Sequence, residues 1–411
     1  MDEIVELTAG PAVHGGHCLA RLDGRVVFLR HAIPGEQVRA QLTDTRRKGH
    51  WRADAVEILA PSQHRVPHVW PEAGPGGVGG GELGHIDLAG QREWKRSVVE
   101  DALARIAGLP AEHPARSGLR VHPAPGEAER GGLGYRTRID LIADGAGHAG
   151  MYRHRSHEVL RLTQMPLAAA GIDLGELLST RWRPGARIEA VAPSAGKPLV
   201  LVDGEPRRGR RRVVREQVST PEGAWSYRVD AAGFWQVHSH APQVLVTAVL
   251  AAAGLATGET VLDLYSGAGL LSLPLADAVG ETGSVHAVEA DPRAGRNARR
   301  NAHARDQLRL HDSPTEAALT ALPRADVVVL DPPRSGAGRT VMTELTGRRP
   351  RRIVYVACDP AALARDLGDA RERGYEVTAL TGYDLFPHTH HVECVAVLEP
   401  GAPVASRDQV R

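Results

Sequence analysis

The chain has almost no cysteine: its 411 residues include three, Cys18, Cys358 and Cys394. That is too few for a disulfide scaffold, and an odd number leaves at least one thiol free, which fits a reducing cytoplasm. Aromatic residues are scarce too, at 4%, within an ordinary apolar content of 42%. Charge of one sign is missing as well. The formal net charge of +1 excludes a polycation, so any nucleic-acid surface has to be a local patch. No run approaches the roughly 18 apolar residues of a membrane span. The acidic start Met1-Asp2-Glu3 lacks the apolar core of a secretory leader. A cytoplasmic protein with no membrane contact is expected. Its length allows two or three domains.

The texture changes along the chain. Residues 1–60 show short alternating runs, at 4–7, 25–29, 37–40 and 53–59, separated by Gly and Pro turns. They predict a small barrel of the OB type, a common oligonucleotide binder, with a ligand-free β-cap as the alternative. Residues 70–84 hold too much glycine for a helix interior and read as a loop or linker. A helical period runs from Gln91 to Gly108, through Trp94, Val98, Leu103 and Ile106. Residues 115–230 read as mixed strands and turns. After Gln236, strands expected at 260–264, 284–289, 307–310, 326–330, 352–356, 376–380 and 392–398 mostly alternate with helical patterns. This predicts an α/β fold with a doubly wound parallel sheet. The last two strands have no helix between them, so an antiparallel edge strand is expected.

The chemistry-bearing motifs fall at the ends of these strands. Asp263-Leu264-Tyr265-Ser266-Gly267-Ala268-Gly269 is an apolar strand entering a glycine turn and then a helix expected at 270–278. Glycine there lets a ligand approach the backbone at a helix N-terminus. The next strand ends in Val288-Glu289-Ala290-Asp291, where an acid can accept hydrogen bonds from two ribose hydroxyls. NAD and S-adenosylmethionine both suit this arrangement. The third glycine of the dinucleotide fingerprint is absent, with Ser272 in its place, which favours S-adenosylmethionine. Asp331-Pro332-Pro333-Arg334 leaves the sheet on a backbone stiffened by two prolines, which places Asp331 at the cofactor edge. A rigid turn with a solvated acid is the plainer account of that motif.

Cys358, in Tyr355-Val356-Ala357-Cys358-Asp359-Pro360, ends the following strand and should open onto the same edge. Buried structural cysteines are common, but Cys358 lies at a strand end and Asp-Pro follows it at once. Downstream lies Asp384-Leu385-Phe386-Pro387-His388-Thr389-His390-His391-Val392-Glu393. A lone Glu393 would ordinarily be solvated; paired with Cys358 it has a task. Carbon 5 of uracil is a weak nucleophile, and a thiolate adding at carbon 6 turns the ring into an enolate that can attack a methyl. A carboxylate then removes the carbon 5 proton. The spacing of His388, His390 and His391 suits a tetrahedral metal poorly, so no metal is expected.

These motifs resemble the bacterial RNA uracil-5-methyltransferases that carry an N-terminal TRAM domain. The matching segments are Phe234-Trp235-Gln236-Val237-His238, 263–269, 331–334 with 355–360, and 384–393, and the lead-in Gly84-His85-Ile86-Asp87 with Gln91 and Lys95 extends the similarity over nearly the whole chain. The resemblance implies Cys358 as nucleophile and Glu393 as base. It implies Gln236, Tyr265, Glu289 and Asp331 as S-adenosylmethionine contacts. It implies a TRAM barrel at 1–60, a central RNA-binding domain at 61–90 and 111–235, and a Rossmann-like class I methyltransferase domain at 91–110 and 236–411. Many members also hold an iron–sulfur cluster through four central cysteines. The corresponding stretch from His68 to His85, with Gln164-Met165-Pro166, contains none, so no cluster is expected. Ser266 and Leu270, and the Ala357 and Asp359 flanks, also depart from the commonest family residues.

The densest basic run is Arg207, Arg208, Arg210, Arg211 and Arg212, with Arg215 beyond it, and Arg46-Arg47-Lys48 forms a second patch. Either can pair with phosphate or be simply solvated. Tyr135, Arg136 and Arg138 match a central segment of the family and are candidate substrate contacts. RNA is the expected partner, ribosomal before transfer RNA because the barrel is present, with the target base flipped from its stack. No obligate protein partner is evident. Two rivals remain at this point. One is amino-group or ribose methylation, which needs no cysteine; the other is a non-catalytic RNA-binding factor on a methyltransferase fold.

Overall fold

The computed structural model describes residues 3–401. Its first six strands lie between Ile4 and Ala60 and form one curled sheet. Gln37–Asp44 alternates strictly, with Val38, Ala40 and Leu42 turned inward. Hydrogen bonds from Gly10 N to Leu19 O (2.7 Å) and from Leu19 N to Pro11 O (2.9 Å) bring the two edges of the sheet together. The strand His17–Leu22 was not expected from the sequence. Its inward residues include Cys18 and Ala20, which are too small to register as an apolar period. The core of this sheet continues into Leu83, Ile86, Trp94 and Val98, so the N-terminal unit packs directly on the helix Leu88–Arg105.

A second six-stranded sheet, antiparallel throughout, lies between Arg138 and Pro206. The hairpin Val213–Thr220 with Gly223–Asp230 falls in the central block by sequence, yet it packs elsewhere. Val214, Val218, Tyr227 and Val229 share a core with Leu270, Leu273 and Val285 of the C-terminal half as well as with Val191 and Leu201 of the second sheet, and Tyr227 donates its hydroxyl to Leu270 O at 2.9 Å.

The eight-stranded sheet carries the chemistry. Across it lie Leu308–Asp312, Ser284–Glu289, Thr260–Leu264, Val327–Leu330, Arg352–Ala357, Glu393–Pro400, Tyr375–Asp384 and Val121–Pro123. Val327–Leu330 is buried along its full length, as a parallel strand covered on both faces must be. The antiparallel strand is not at the edge, as expected from sequence, but inside. Glu393–Pro400 runs antiparallel to Arg352–Ala357 on one side and to Tyr375–Asp384 on the other. The helix Pro360–Arg371 carries the chain across one vacant slot, and the short return after Asp384 fills it. Val121–Pro123 supplies the edge. Because the inserted strand runs antiparallel and begins beside the carboxyl end of Arg352–Ala357, Glu393 is delivered to the carboxyl edge of the sheet.

Candidate active site

The carboxyl ends of these strands surround a cleft of about 560 Å³. Gln236, Tyr265, Glu289, Asp331, Cys358 and Glu393 all line it. On the cofactor side the chain turns sharply at Tyr265 (φ 63°), Gly267 (φ 57°) and Gly269 (φ 91°) before the helix Ser272–Val279. A side chain at Gly267 would meet nothing within 4 Å, so the space beside this turn is open to a ligand. Glu289 braces the turn: its carboxylate accepts from Gly267 N (2.8 Å) and Asp291 N (2.6 Å). A carboxylate has roughly four acceptor positions, so two remain for hydroxyls. Beneath the turn Asp263 accepts from the Ser272 hydroxyl, while its Oδ1 is buried without a partner. Burial holds its carboxyl up at about 7.

On the opposite wall Cys358 ends its strand and Asp359 caps the next helix, accepting from Ala361 N (3.0 Å) and Ala362 N (2.9 Å). The thiol therefore sits beside a helix N-terminus, which favours its anion. Burial outweighs this and pushes the thiol up to about 12, with Glu393, Asp331 and Asp359 adding to the rise and Arg334 opposing it. Burial, reinforced by the charge of Asp331, lifts Glu393 well above the usual carboxylate range, and burial raises Asp331 to about 7. Burial holds these acids toward their neutral forms, and a cation entering the cleft would draw them to ionise.

The loop before Glu393 is anchored from the helix Leu88–Arg105. Lys95 is wholly buried; it pairs with Asp384 and donates to Phe386 O at 2.9 Å. Gln91 exchanges hydrogen bonds with His388, accepting from its backbone N (2.6 Å) and donating to Nδ1 (3.0 Å). From the N-terminal sheet His14 reaches Asp359 at 3.4 Å, and Glu82 reaches His390 at 3.5 Å. The catalytic candidates are thus held by both neighbouring units.

The arginines singled out from sequence separate into groups. Arg136 lines the cleft. Arg138 turns inward and donates to Ala231 O (3.1 Å) and Gly233 O (2.9 Å), bracing the loop that presents Phe234. None of the basic run lines the cleft. Arg207 and Arg208 share Glu176, Arg212 pairs with Glu205, and Arg211 donates to Lys197 O and Pro198 O. Arg210 is exposed. Arg334, His391 and Asp263 also line the cleft; the motifs contain them, but position along the chain gave no sign of a role. The stretch expected to replace the iron–sulfur site packs Trp70, Ala73 and Val78 with Met165. Cys18, Cys358 and Cys394 lie in other strands or at their ends, so these residues do not fit a thiolate-held cluster.

A family model described as tRNA (uracil-5-)-methyltransferase matches residues 302–400, and a methyltransferase small-domain model matches 236–348. The chain is 42% identical over 435 residues to an RNA methyltransferase of Streptomyces coelicolor, covering 98% of this chain and 94% of that one. It is 37% identical to one of Bifidobacterium longum, covering 93% of each. Its fold matches the tRNA (uracil-54, C5)-methyltransferase of Pyrococcus abyssi, solved with S-adenosyl-L-homocysteine. The TM-score is 0.69 at 21% identity, over 95% of this chain and all of that one. Among the described residues no helix is long and apolar enough to cross a membrane. The chain belongs to the S-adenosylmethionine-dependent RNA (uracil-5-)-methyltransferase family.

Proposed function

We propose that this enzyme methylates carbon 5 of a uridine in 23S ribosomal RNA through a covalent bond from Cys358 to carbon 6. The observation that carries the covalent route is the pairing of Cys358 with Glu393 in one cleft, their strands joined in register up to Ala357 and Cys394. Bound S-adenosylmethionine supplies an electrophilic methyl on a sulfonium. Glu289 is suited to accept from the ribose hydroxyls, and Gln236, Tyr265 and Asp331 complete the pocket. The unpartnered Oδ1 of Asp263 offers an acceptor for the ammonium of the methionine part.

The residues would act in sequence. Cys358 first releases its proton to solvent, with the cation Arg334 favouring the thiolate. Its sulfur bonds to carbon 6, and the ring π pair moves toward carbon 5 and the carbonyl at carbon 4. Carbon 5 takes the methyl as the sulfonium becomes a neutral thioether. Glu393, ionised once the cationic donor is present, removes the carbon 5 proton; that electron pair restores the double bond and expels the Cys358 thiolate. Return of the proton from Glu393 to the thiol regenerates the starting state, and one proton is released overall.

RNA containing 5-fluorouridine tests this route, because a base cannot remove fluorine as a cation. The wild-type protein should form a denaturation-resistant adduct that Cys358→Ala cannot. Methylation without any such adduct would refute the covalent route and favour chemistry at an amino group or ribose.

The N-terminal strand unit supports the ribosomal target. A transfer RNA target is the second reading, favoured by the names of the matching family model and of the fold neighbour. Mapping 5-methyluridine in both RNA classes from a deletion strain separates them: loss from transfer RNA alone would sink the ribosomal assignment. The three free thiols suit a cytoplasmic enzyme.

A further inference from the structure

We propose that His31, His68 and His85 form a binding site for one divalent first-row transition-metal ion, zinc(II) being the natural probe. The three come from separate segments: the turn after the strand Arg25–Arg30, the glycine-rich stretch, and the lead-in to the helix Leu88–Arg105. One ring nitrogen from each lies within 4.8 Å of the others. Such a grouping is invisible in sequence, where the three histidines lie far apart along the chain.

The rings have few partners: His68 lies by the Gly81 carbonyl and His85 by the Ala32 carbonyl, contacts that would orient the rings. Both nitrogens of His31, both of His85 and Nε2 of His68 are buried with no hydrogen-bond partner. The remaining nitrogen, Nδ1 of His68, accepts from Trp70 N at 3.1 Å. Buried polar atoms are normally paired. A neutral imidazole carries one N–H and one lone pair, so the three facing rings offer three lone pairs to a single ion, that of His68 once it releases Trp70 N. His31 also adopts a left-handed backbone (φ 60°), a strain that aims its ring at the other two.

The surroundings tolerate a dication. Arg30, Arg65 and Glu82 lie near, and each guanidinium has a carboxylate of its own: Arg65 is held by Glu36 at 2.6 Å and Arg30 faces Asp54 at 4.0 Å. With metal–nitrogen bonds of about 2.1 Å, tetrahedral donors stand roughly 3.4 Å apart, so ring movements of about 1 Å close the present spread. Imidazole donors without thiolate suit zinc, copper, nickel or cobalt rather than an iron–sulfur cluster. The ion would clip the N-terminal sheet to the segment that leads into the helix Leu88–Arg105.

The test uses the full chain, stripped with chelator and reloaded. The wild type should bind one equivalent of zinc per chain by mass spectrometry of the metal. Cobalt(II) in its place should give the visible absorption of a four-coordinate site, and zinc should raise the melting temperature. His68→Ala and His85→Ala should each lose the bound equivalent and the cobalt spectrum, while His303→Ala at an exposed position keeps both. If a variant fails to fold, the wild-type cobalt spectrum and stoichiometry still decide. No stoichiometric uptake, an octahedral aqueous-type cobalt spectrum, or binding that survives loss of His68 and His85 overturns the site.

Discussion

Cys358 stands across from Glu393, one step beyond the Ala357–Cys394 pair that ends the antiparallel ladder. Directly opposed residues in such a ladder place their Cβ atoms about 4.5–5.5 Å apart, close enough for a ring held by the sulfur to present its neighbouring carbon to the acid. Burial holds both groups toward their neutral forms, with Glu393 adding to the rise of the thiol and Asp331 to that of the acid, so the pair waits uncharged.

Replacing the acid should therefore separate addition from elimination. Glu393→Gln still lets Cys358 attack carbon 6 and carbon 5 take the methyl, but nothing removes the remaining proton. We expect turnover to fall about 10²–10⁴-fold, with a covalent complex accumulating on ordinary, unfluorinated RNA. Gel analysis under denaturing conditions reads it. Lost turnover without any trapped complex would mean that Glu393 acts before the bond to carbon 6 forms.

Much of this site was legible in sequence because strand-end motifs are local. Asp263–Gly269, Asp331–Arg334 and the segment around Cys358 each sit where an apolar run stops, and in a parallel sheet such stops share one edge. The insertion of Glu393–Pro400 inside the sheet was not legible, since register depends on partners distant in the chain. Nor was the trio His31, His68 and His85, or the inward turn of Arg138, because periodicity marks a buried face and not which buried polar groups meet.

The Lys95–Asp384 pair is wholly buried, and the loop carrying Glu393 hangs from it. Lys95→Ala leaves Asp384 charged and alone, and should cost about 3–5 kcal/mol. Lys95→Met with Asp384→Leu should recover most of that stability while methylation remains impaired, since the tie to Phe386 O is gone. Urea denaturation and an activity assay on the same preparations check both parts.

Asp263 predicts a pH effect on stability. Its carboxyl titrates near 7 when folded, above its ordinary value of 3.8. The folded state therefore keeps a proton that the unfolded chain has released, and stability from this group is lost as pH rises through that window. Asp263→Asn mimics the protonated acid and can still accept from Ser272. Its stability relative to wild type should be close to unchanged near pH 4 and should rise by several kcal/mol by pH 8, as chemical denaturation at the two pH values would show. An advantage that does not grow with pH would place the charge elsewhere.

Phe234 is 74% exposed at the lip of the cleft, an unusual position for one of three phenylalanines. A base flipped toward Cys358 would pass it, and stacking on an aromatic ring contributes about 1–3 kcal/mol per base. Phe234→Ala should raise the KM for RNA about 5- to 150-fold by that energy, leaving S-adenosylmethionine affinity within a few-fold. Equal losses in both affinities would show that the ring supports the cofactor loop instead.

The basic run offers a contrast in salt dependence. Arg208 and Arg210 are exposed, and Arg208 shares Glu176 with Arg207. A phosphate arriving at Arg210 displaces no protein partner, whereas Arg138 would have to abandon the carbonyls of Ala231 and Gly233. Arg210→Ala should weaken RNA binding and lower the slope of log affinity against log salt by about 1 without changing the melting temperature. Arg138→Ala should lower the melting temperature and disturb the Phe234 loop, with its effect on binding nearly independent of salt. Titrations at several salt concentrations distinguish the two, and an unchanged slope for Arg210→Ala would remove this surface from the RNA path.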